Sequence, residues 1–165
     1  MRITWQEYFL KVLDATALRA SCDRGKSAAI IVKDNRLISS GYVGAPSGIP
    51  SCDEVGHQLI KRFEMPIEDW SDSIIINNRD FSTHCVKTCH SEINAIINAA
   101  RNGVSTLGAT MYITMTPCKN CSMAIIQAGI TKVIAKNKYQ KDTESRQLLK
   151  EAGVELITLN EGLLY

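Results

Sequence analysis

The chain has 165 residues, of which 45% are hydrophobic and 22% are charged, and its formal net charge at pH 7 is +2. This length predicts a single domain, residues 1–165, with one hydrophobic core. The sequence has no dense block of Lys and Arg, which speaks against a partner that is a nucleic acid. One phosphate group needs only one or two cations and remains compatible with this composition.

The first twenty residues place charges every few positions and lack the uninterrupted apolar run of a signal peptide. No apolar run in the sequence approaches the length that spans a bilayer. We therefore expect a soluble, cytoplasmic protein without a membrane partner. Six cysteines are too few for a disulfide scaffold, and in a reducing compartment clustered Cys and His residues more often bind metal.

The first half of the chain is predicted to hold one helix and two strands, over residues 4–21, 28–33 and 36–43. Thr4 is a candidate N-cap, and Asp34-Asn35 indicates a hairpin turn between the strands. Residues 44–88 are irregular and open with Gly-Ala-Pro-Ser-Gly. Such a long connection in a small domain is expected to be functional or to need a stabilising element such as a metal.

After residue 88 the pattern alternates regularly between helices and strands. The predicted helices are 89–102, 118–128 and 143–152, and the predicted strands are 110–114, 132–135 and 154–159. A glycine follows each helix, at Gly103, Gly129 and Gly153, where a left-handed C-cap favours glycine. This alternation predicts parallel strands that are joined by crossover helices.

Two short motifs lie at the starts of predicted helices: H-S-E at residues 90–92 and P-C-K-N-C at residues 117–121. A catalytic zinc ion takes three protein ligands and leaves one position for water. Cys118 and Cys121 are one helical turn apart, so both sulfurs can face the same side, and a helix N-terminus favours thiolates. His90 supplies the third ligand of the predicted zinc site.

Glu92 lies two residues beyond this histidine and is predicted to move protons rather than to bind the metal. Taken alone, the motifs are weak, because a single C-x-x-C also occurs in structural zinc sites and redox pairs. Together, separated by one helix and one strand, they are typical of zinc deaminases that act on nucleobases. The sequence therefore predicts a zinc-dependent deaminase, with purely structural zinc as the alternative.

Four segments, residues 41–48, 84–96, 108–121 and 126–130, resemble the deoxycytidylate deaminase family, and the likeness extends over about residues 3–159. The resemblance implies the cytidine deaminase fold, a three-layer α/β/α arrangement with a mixed sheet of about five strands. It also implies hydrolysis of dCMP to dUMP and ammonia for thymidylate nucleotide synthesis. Family members are typically homo-hexamers, and many are activated by dCTP and inhibited by dTTP with Mg²⁺.

The resemblance also implies roles for residues around the substrate. Arg24 and Lys26 precede the first predicted strand, where the family places groups that bind the substrate phosphate; a solvated loop is the alternative interpretation. Tyr139 matches a family tyrosine near the nucleotide, although an aromatic residue packed at a sheet edge would look the same in sequence.

Effector binding is assigned by resemblance to Tyr42, Gly44 and Arg101, although a cation at a helix C-terminus also suits the helix dipole. The chain departs from the family's motifs at two positions. Val43 replaces an asparagine, which puts the details of sugar or effector binding in question. Ser91 replaces the alanine of the family's His-Ala-Glu.

The same resemblance implies a second, structural zinc. Cys22, Cys52, His57 and His84 are its predicted ligands, with Cys85 as the reserve for the fourth position. Such a closed site would explain how a long irregular segment stays folded. The alternative is that these are unrelated residues of a loop.

The resemblance favours deamination of dCMP. Two other classes remain as alternatives: a zinc deaminase of another cytosine or adenine compound, and a non-catalytic module that binds zinc and nucleotide. A tRNA deaminase would usually carry more positive charge, and an enzyme for free nucleosides would not need the two cations before the first strand.

Overall fold

The computed structural model of the chain describes residues 1–62, 82–139 and 141–163. In chain order these ranges hold α1 (Trp5–Ala17), β1 (Ala28–Lys33), β2 (Arg36–Tyr42), α2 (Cys52–Val55), β3 (Leu59–Arg62), β4 (Ser82–Cys85), α3 (Ser91–Arg101), β5 (Thr110–Met115), α4 (Lys119–Gln127), β6 (Lys132–Lys138), α5 (Thr143–Glu151) and β7 (Glu155–Leu163). Among the helices in these ranges, none has the length and apolar character needed to cross a membrane.

Five strands form one mixed sheet in the order β2-β1-β5-β6-β7. β1 pairs antiparallel with both β2 and β5, whereas β5, β6 and β7 run parallel to one another. The predicted mixed sheet of about five strands and the parallel second half are both confirmed. The carboxyl end of β5 leads directly into α4, which places the second sequence motif at one edge of the sheet.

The sheet separates two hydrophobic clusters, because alternate residues of a strand face opposite sides. Ile30 of β1 belongs to the cluster on the α1 side, together with Phe9 and Leu13. Its neighbour Ile31 belongs to the opposite cluster, to which α3, α4 and α5 contribute buried residues: Ala95, Ile125 and Leu149. These three layers confirm the predicted α/β/α architecture.

The first helix and the first hairpin follow the local sequence signals. Thr4 caps α1 by accepting a hydrogen bond from the Glu7 N–H at 3.2 Å, and the Glu7 carboxylate accepts from the Thr4 N–H at 2.7 Å. Asp34 and Asn35 have φ values of 50° and 55°, the left-handed conformation that a two-residue hairpin turn requires. The helix ends four residues before the predicted boundary, because the Ser21 N–H bonds to the carbonyl that follows β2.

The segment predicted to be irregular contains regular structure. A single turn of helix, α2, begins at Cys52, and β3 pairs antiparallel with β4 in a separate two-stranded sheet. The prediction of an irregular 44–88 is therefore wrong for these elements. Residues 63–81 lie outside the described part of the chain.

Candidate active site

The two sequence motifs meet at the N-termini of α3 and α4. His90 and Cys118 are the N-caps of these helices, with extended backbone conformations, and neither side chain makes a capping hydrogen bond to its helix. Each helix begins one or two residues later than predicted. The structure brings the three predicted zinc ligands together, with the His90 Nδ1 atom 3.6 Å from the Cys118 sulfur and 3.3 Å from the Cys121 sulfur.

These separations fit a zinc ion. Bonds of about 2.3 Å to sulfur and about 2.1 Å to nitrogen at tetrahedral angles separate ligand atoms by about 3.6–3.8 Å. The ligand atoms of His90, Cys118 and Cys121 all lie within 4.8 Å of one another. Among the described residues these three ligands would leave one tetrahedral position open, which is the coordination of a catalytic rather than a closed structural site.

The protonation of the two thiols also favours a divalent cation. A hydrogen bond from the Cys121 thiol, assisted by His90, lowers the pKa of Cys118 to about 3. The same hydrogen bond, together with burial, raises the pKa of Cys121. Cysteine binds metal as the thiolate, so a divalent cation at this position would favour the deprotonated form of both sulfurs.

Glu92 lies beside these ligands in the first turn of α3 and is only 7% exposed. Burial raises the pKa of its carboxyl group, and the Cys121 thiol lies within hydrogen-bonding reach of it. The hydroxyl of Ser91 donates a hydrogen bond to Glu92 Oε2 at 3.0 Å. A carboxyl whose pKa is raised holds a proton more readily than an exposed one, which suits a group that both accepts and donates a proton.

Close packing of α3 on β2 fixes the position of this first turn. A Cβ atom at Gly41 would collide with the backbone of Ser91 and Ala95, so only glycine allows the helix to approach this closely. The side chain of Asn94 donates to the Tyr42 carbonyl at 2.8 Å across the same contact. The packing of α3 on β2 therefore fixes the positions of His90 and Glu92 at the start of the helix.

A cavity of about 600 Å³ opens over the predicted zinc ligands and Glu92. Of the predicted substrate residues, Arg24 and Tyr139 line it, whereas Lys26 does not; both Arg24 and Lys26 are exposed to solvent in the single chain. The Tyr139 N–H donates to the Thr116 hydroxyl at 2.7 Å, which ties the tyrosine to the end of β5. One predicted cation and the predicted aromatic residue thus share the cavity with the acid–base residue.

A second cluster of metal-binding groups lies nearby. The ligand atoms of Cys22, Cys52, His57 and Cys85 all lie within 4.8 Å of one another. The Cys52 and Cys85 sulfurs are 3.6 Å apart, and the Cys22 sulfur is 3.7 Å from His57 Nδ1, again the separations that tetrahedral zinc requires. The fourth member is the reserve residue Cys85; the side chain of the predicted ligand His84 lies outside the described part of the structure.

The charges around this cluster also fit a metal. Although burial opposes it, hydrogen bonds from the Lys87 backbone and from His57 lower the pKa of Cys85 to about 7. Burial raises the pKa of Cys52 to about 12. His57 Nε2 contacts Asp23 Oδ1 at 2.8 Å, so the carboxylate orients the opposite nitrogen, Nδ1, toward the cluster, as outer-sphere carboxylates do for zinc-binding histidines.

The predicted effector residues do not form one site within a single chain. Gly44 pairs with Cys89, the residue before the zinc ligand His90, through two backbone hydrogen bonds of 2.9 and 3.4 Å. Tyr42 is 38% exposed beside it. Arg101 lies in the last turn of α3, about 10 Å along the axis from the residues that contact Tyr42.

Val43, the residue that departs from the family, is buried and lines the cavity. Its side chain packs in a small apolar cluster with Cys22 and Cys52. Its N–H donates to the Ser27 carbonyl at 3.0 Å, which connects the residue after β2 to the residue before β1. Val43 thus has a packing role beside the second cluster.

Sequence reasoning missed three polar residues at the site: Ser27, Asp23 and, as an active participant, Ser91. Ser91 lies inside the H-S-E motif, but nothing in the motif indicates a role for its hydroxyl. Asp23 follows a predicted ligand directly. Ser27 carried no local signal, since its contact with Ser91 joins residues 64 positions apart.

Comparison with known proteins agrees with this geometry. Residues 3–137 match the family model for the cytidine and deoxycytidylate deaminase zinc-binding region. The ComE operon protein 2 of Bacillus subtilis (strain 168) is 35% identical over 165 residues, covering 99% of this chain and 76% of that protein. Deoxycytidylate deaminase of Enterobacteria phage T2 is 32% identical over 168 residues, covering 91% of this chain and 89% of its own.

A solved structure is also similar. The dCMP deaminase from the cyanophage S-TIM5, crystallised in complex with dCMP and dUMP, superimposes with a TM-score of 0.72 and 28% sequence identity. The superposition covers 96% of this chain and 98% of that one.

Proposed function

We propose that this chain, which belongs to the zinc-dependent cytidine and deoxycytidylate deaminase family, hydrolyses dCMP to dUMP and ammonia in thymidylate nucleotide synthesis. The observation that carries the proposal is the cavity in which three zinc-binding side chains, a buried carboxyl group and an arginine come together. Relatives named deoxycytidylate deaminase support the choice of nucleotide, as does the similar phage enzyme crystallised with dCMP and dUMP.

In this reaction His90, Cys118 and Cys121 would hold the zinc, which supplies an activated water when it is bound. Glu92 moves the protons: it accepts one from the attacking water and delivers it to N3 of the cytosine ring, then accepts the second from the new C4 hydroxyl and delivers it to the amine, which leaves as the C4 carbonyl forms. The balance is one dCMP and one water consumed, and one dUMP and one ammonia formed. Burial keeps bulk water from competing with Glu92 for these protons.

Arg24 is the proposed partner of the substrate phosphate, with Tyr139 beside the nucleotide. A guanidinium group binds phosphate with strong, charge-assisted hydrogen bonds. Arg24 lines the cavity, and Lys26, two residues away, does not. The two neighbouring cations therefore differ in that Arg24 lines the cavity wall and Lys26 does not.

We expect the unmodified protein to prefer dCMP over deoxycytidine by at least ~100-fold in kcat/KM, because only the nucleotide meets this cation. Arg24→Gln should lower kcat/KM for dCMP and leave that for deoxycytidine nearly unchanged. Lys26→Gln is the matched control and should have a much smaller effect. Steady-state assays at the cytosine absorbance measure all three.

Equal use of nucleotide and nucleoside by the unmodified protein would favour a nucleoside deaminase. Bound zinc and nucleotide without turnover of any cytosine compound would favour the non-catalytic module. Neither alternative has a specific observation in its favour within the described residues.

We further propose that six chains assemble and that dCTP activates the hexamer while dTTP with Mg²⁺ inhibits it. Ile97, Leu107 and Met123 are large apolar side chains exposed on the single chain, which suits burial against further copies. A ligand that displaced Gly44 would act on Cys89 through their backbone pairing, and so on the zinc ligand that follows.

For this regulation we expect a sigmoidal dependence of rate on dCMP concentration without dCTP and a nearly hyperbolic one with it. The coupling free energy should be about 1–3 kcal/mol, the usual range between linked sites. Arg101→Gln should weaken the response to both triphosphates, and Arg19→Gln, an exposed arginine of another segment, serves as control. This part of the proposal would be contradicted by two results together. The rate would depend hyperbolically on dCMP concentration and neither triphosphate would change it, and light scattering would give the mass of one chain.

A further inference from the structure

Two serine hydroxyls continue from Glu92 away from the zinc-binding residues. Ser91 Oγ donates to Glu92 Oε2 at 3.0 Å, and Ser27 Oγ lies 3.3 Å from Ser91 Oγ. Ser91 is 2% exposed, so its hydroxyl has no bulk water as an alternative partner. Ser27 is half-buried and lines the cavity.

The number of hydroxyl protons determines which serine is the donor in each of these hydrogen bonds. A serine hydroxyl has one proton to donate. Because Ser91 uses its proton in the hydrogen bond to Glu92, Ser27 must be the donor in the hydrogen bond between the two serines. Ser27 is itself held in place, because its carbonyl accepts from the Val43 N–H at 3.0 Å.

The hydrogen bond from Ser91 limits rotation of the Glu92 carboxylate about its terminal torsion. The terminal torsion of a glutamate is broad, so an unanchored carboxylate turns within its site. The Glu92 carboxylate also accepts a hydrogen bond from its own backbone N–H, and the Ser91 hydroxyl restrains Oε2 in addition. Catalytic groups must lie within about 0.5 Å and 10–20° of the productive geometry, so this restraint bears directly on turnover.

We propose that Ser91, supported by Ser27, is a positioning residue that orients the Glu92 carboxylate for proton transfer. The inference rests on the proposed function of Glu92 and extends it to Ser91, the residue whose hydroxyl donates to its carboxylate. Its role is exerted only through Glu92.

The test is a double-mutant cycle between Ser91→Ala and Glu92→Gln. Ser91→Ala alone should lower kcat for dCMP about tenfold, with KM nearly unchanged, because substrate binding does not use the hydroxyl. In the Glu92→Gln background it should cause no further loss, since there is no carboxylate left to orient. Ser27→Ala should lower kcat by about twofold to threefold, and nothing more when Ser91 is already alanine.

Two readouts separate positioning from a structural role. Calorimetry should show that Ser91→Ala weakens binding of a nucleotide analogue with a tetrahedral C4 about tenfold, while dUMP affinity and zinc content stay the same. Ser145→Ala is the matched control: Ser145 is a buried serine in the first turn of α5 whose hydroxyl donates to a carbonyl at 2.8 Å. It should lower the melting temperature without lowering kcat.

Unchanged kcat in Ser91→Ala, while Glu92→Gln is inactive, would overturn this inference and leave the proposed function standing. Full turnover in Glu92→Gln would overturn both. Equal losses from Ser91→Ala in the two backgrounds would show a structural role and would also overturn the positioning role.

Discussion

Glu92→Gln should reduce turnover of dCMP by at least ~100-fold, which corresponds to about 2.7 kcal/mol of transition-state stabilisation. Glutamine keeps the size of the side chain and its capacity to accept a hydrogen bond from Ser91, but it cannot shuttle a proton. Glu92 is buried and its pKa is raised by desolvation, so replacing it with a neutral group removes an unfavourable buried charge. We therefore expect the loss of activity without a loss of stability.

The measurements are kcat for dCMP, zinc per chain and the melting temperature. Glu151→Gln makes the same chemical change on an exposed residue near the end of α5 and should leave all three unaltered. Turnover of the Glu92 variant within a few-fold of the unmodified protein would remove Glu92 from the reaction. A variant that had lost its zinc would instead show that Glu92 holds the metal.

Local signals in the sequence were sufficient for most of the fold. The Asp34-Asn35 turn tolerates positive φ, so the hairpin could be recognised from two residues. The alternating pattern after residue 88 fixed the parallel strands. A capping-box signature, Ser51 with Glu54, was also present at α2 and could have revealed that helix.

Non-local pairing accounts for what was missed. β3 and β4 pair although 19 residues, 63–81, separate them, and neither segment of four residues has a diagnostic periodicity. The end of α1 was overextended because Leu18 continues the apolar pattern although it is 78% exposed. What stops the helix is the hydrogen bond from Ser21 to Val43, a contact between distant parts of the chain.

The residues of the candidate site also divide into those that local motifs reveal and those that depend on contacts between distant segments. His90, Glu92, Cys118 and Cys121 lie in short motifs whose spacing reflects helix geometry, so sequence alone could group them. The choice between Cys85 and its neighbour His84 as a fourth ligand depends on which face of β4 each residue occupies. That face is set by the pairing with β3 and is invisible in the local sequence.

The second cluster leads to the other large expected effect. The purified protein should contain two zinc ions per chain, and Cys52→Ser or Cys85→Ser should lower this to one. Structural zinc in small domains contributes on the order of 10 kcal/mol at neutral pH. Because the cluster joins the end of the segment after α1 to α2 and β4, its loss should lower the melting temperature far more than it lowers kcat.

Two further variants make the test specific. Cys89→Ser is the matched control, because Cys89 belongs to neither cluster although it lies between them in the cavity wall; it should keep both zinc ions. His84→Ala distinguishes the two candidates for the fourth position and should also keep both, if Cys85 is the ligand. Zinc content by mass spectrometry of the metal and unfolding with and without a chelator provide the readouts. A single zinc ion in the unmodified protein would remove the second site and leave Cys22 and Cys52 as buried apolar residues that pack with Val43 and the half-buried Cys85.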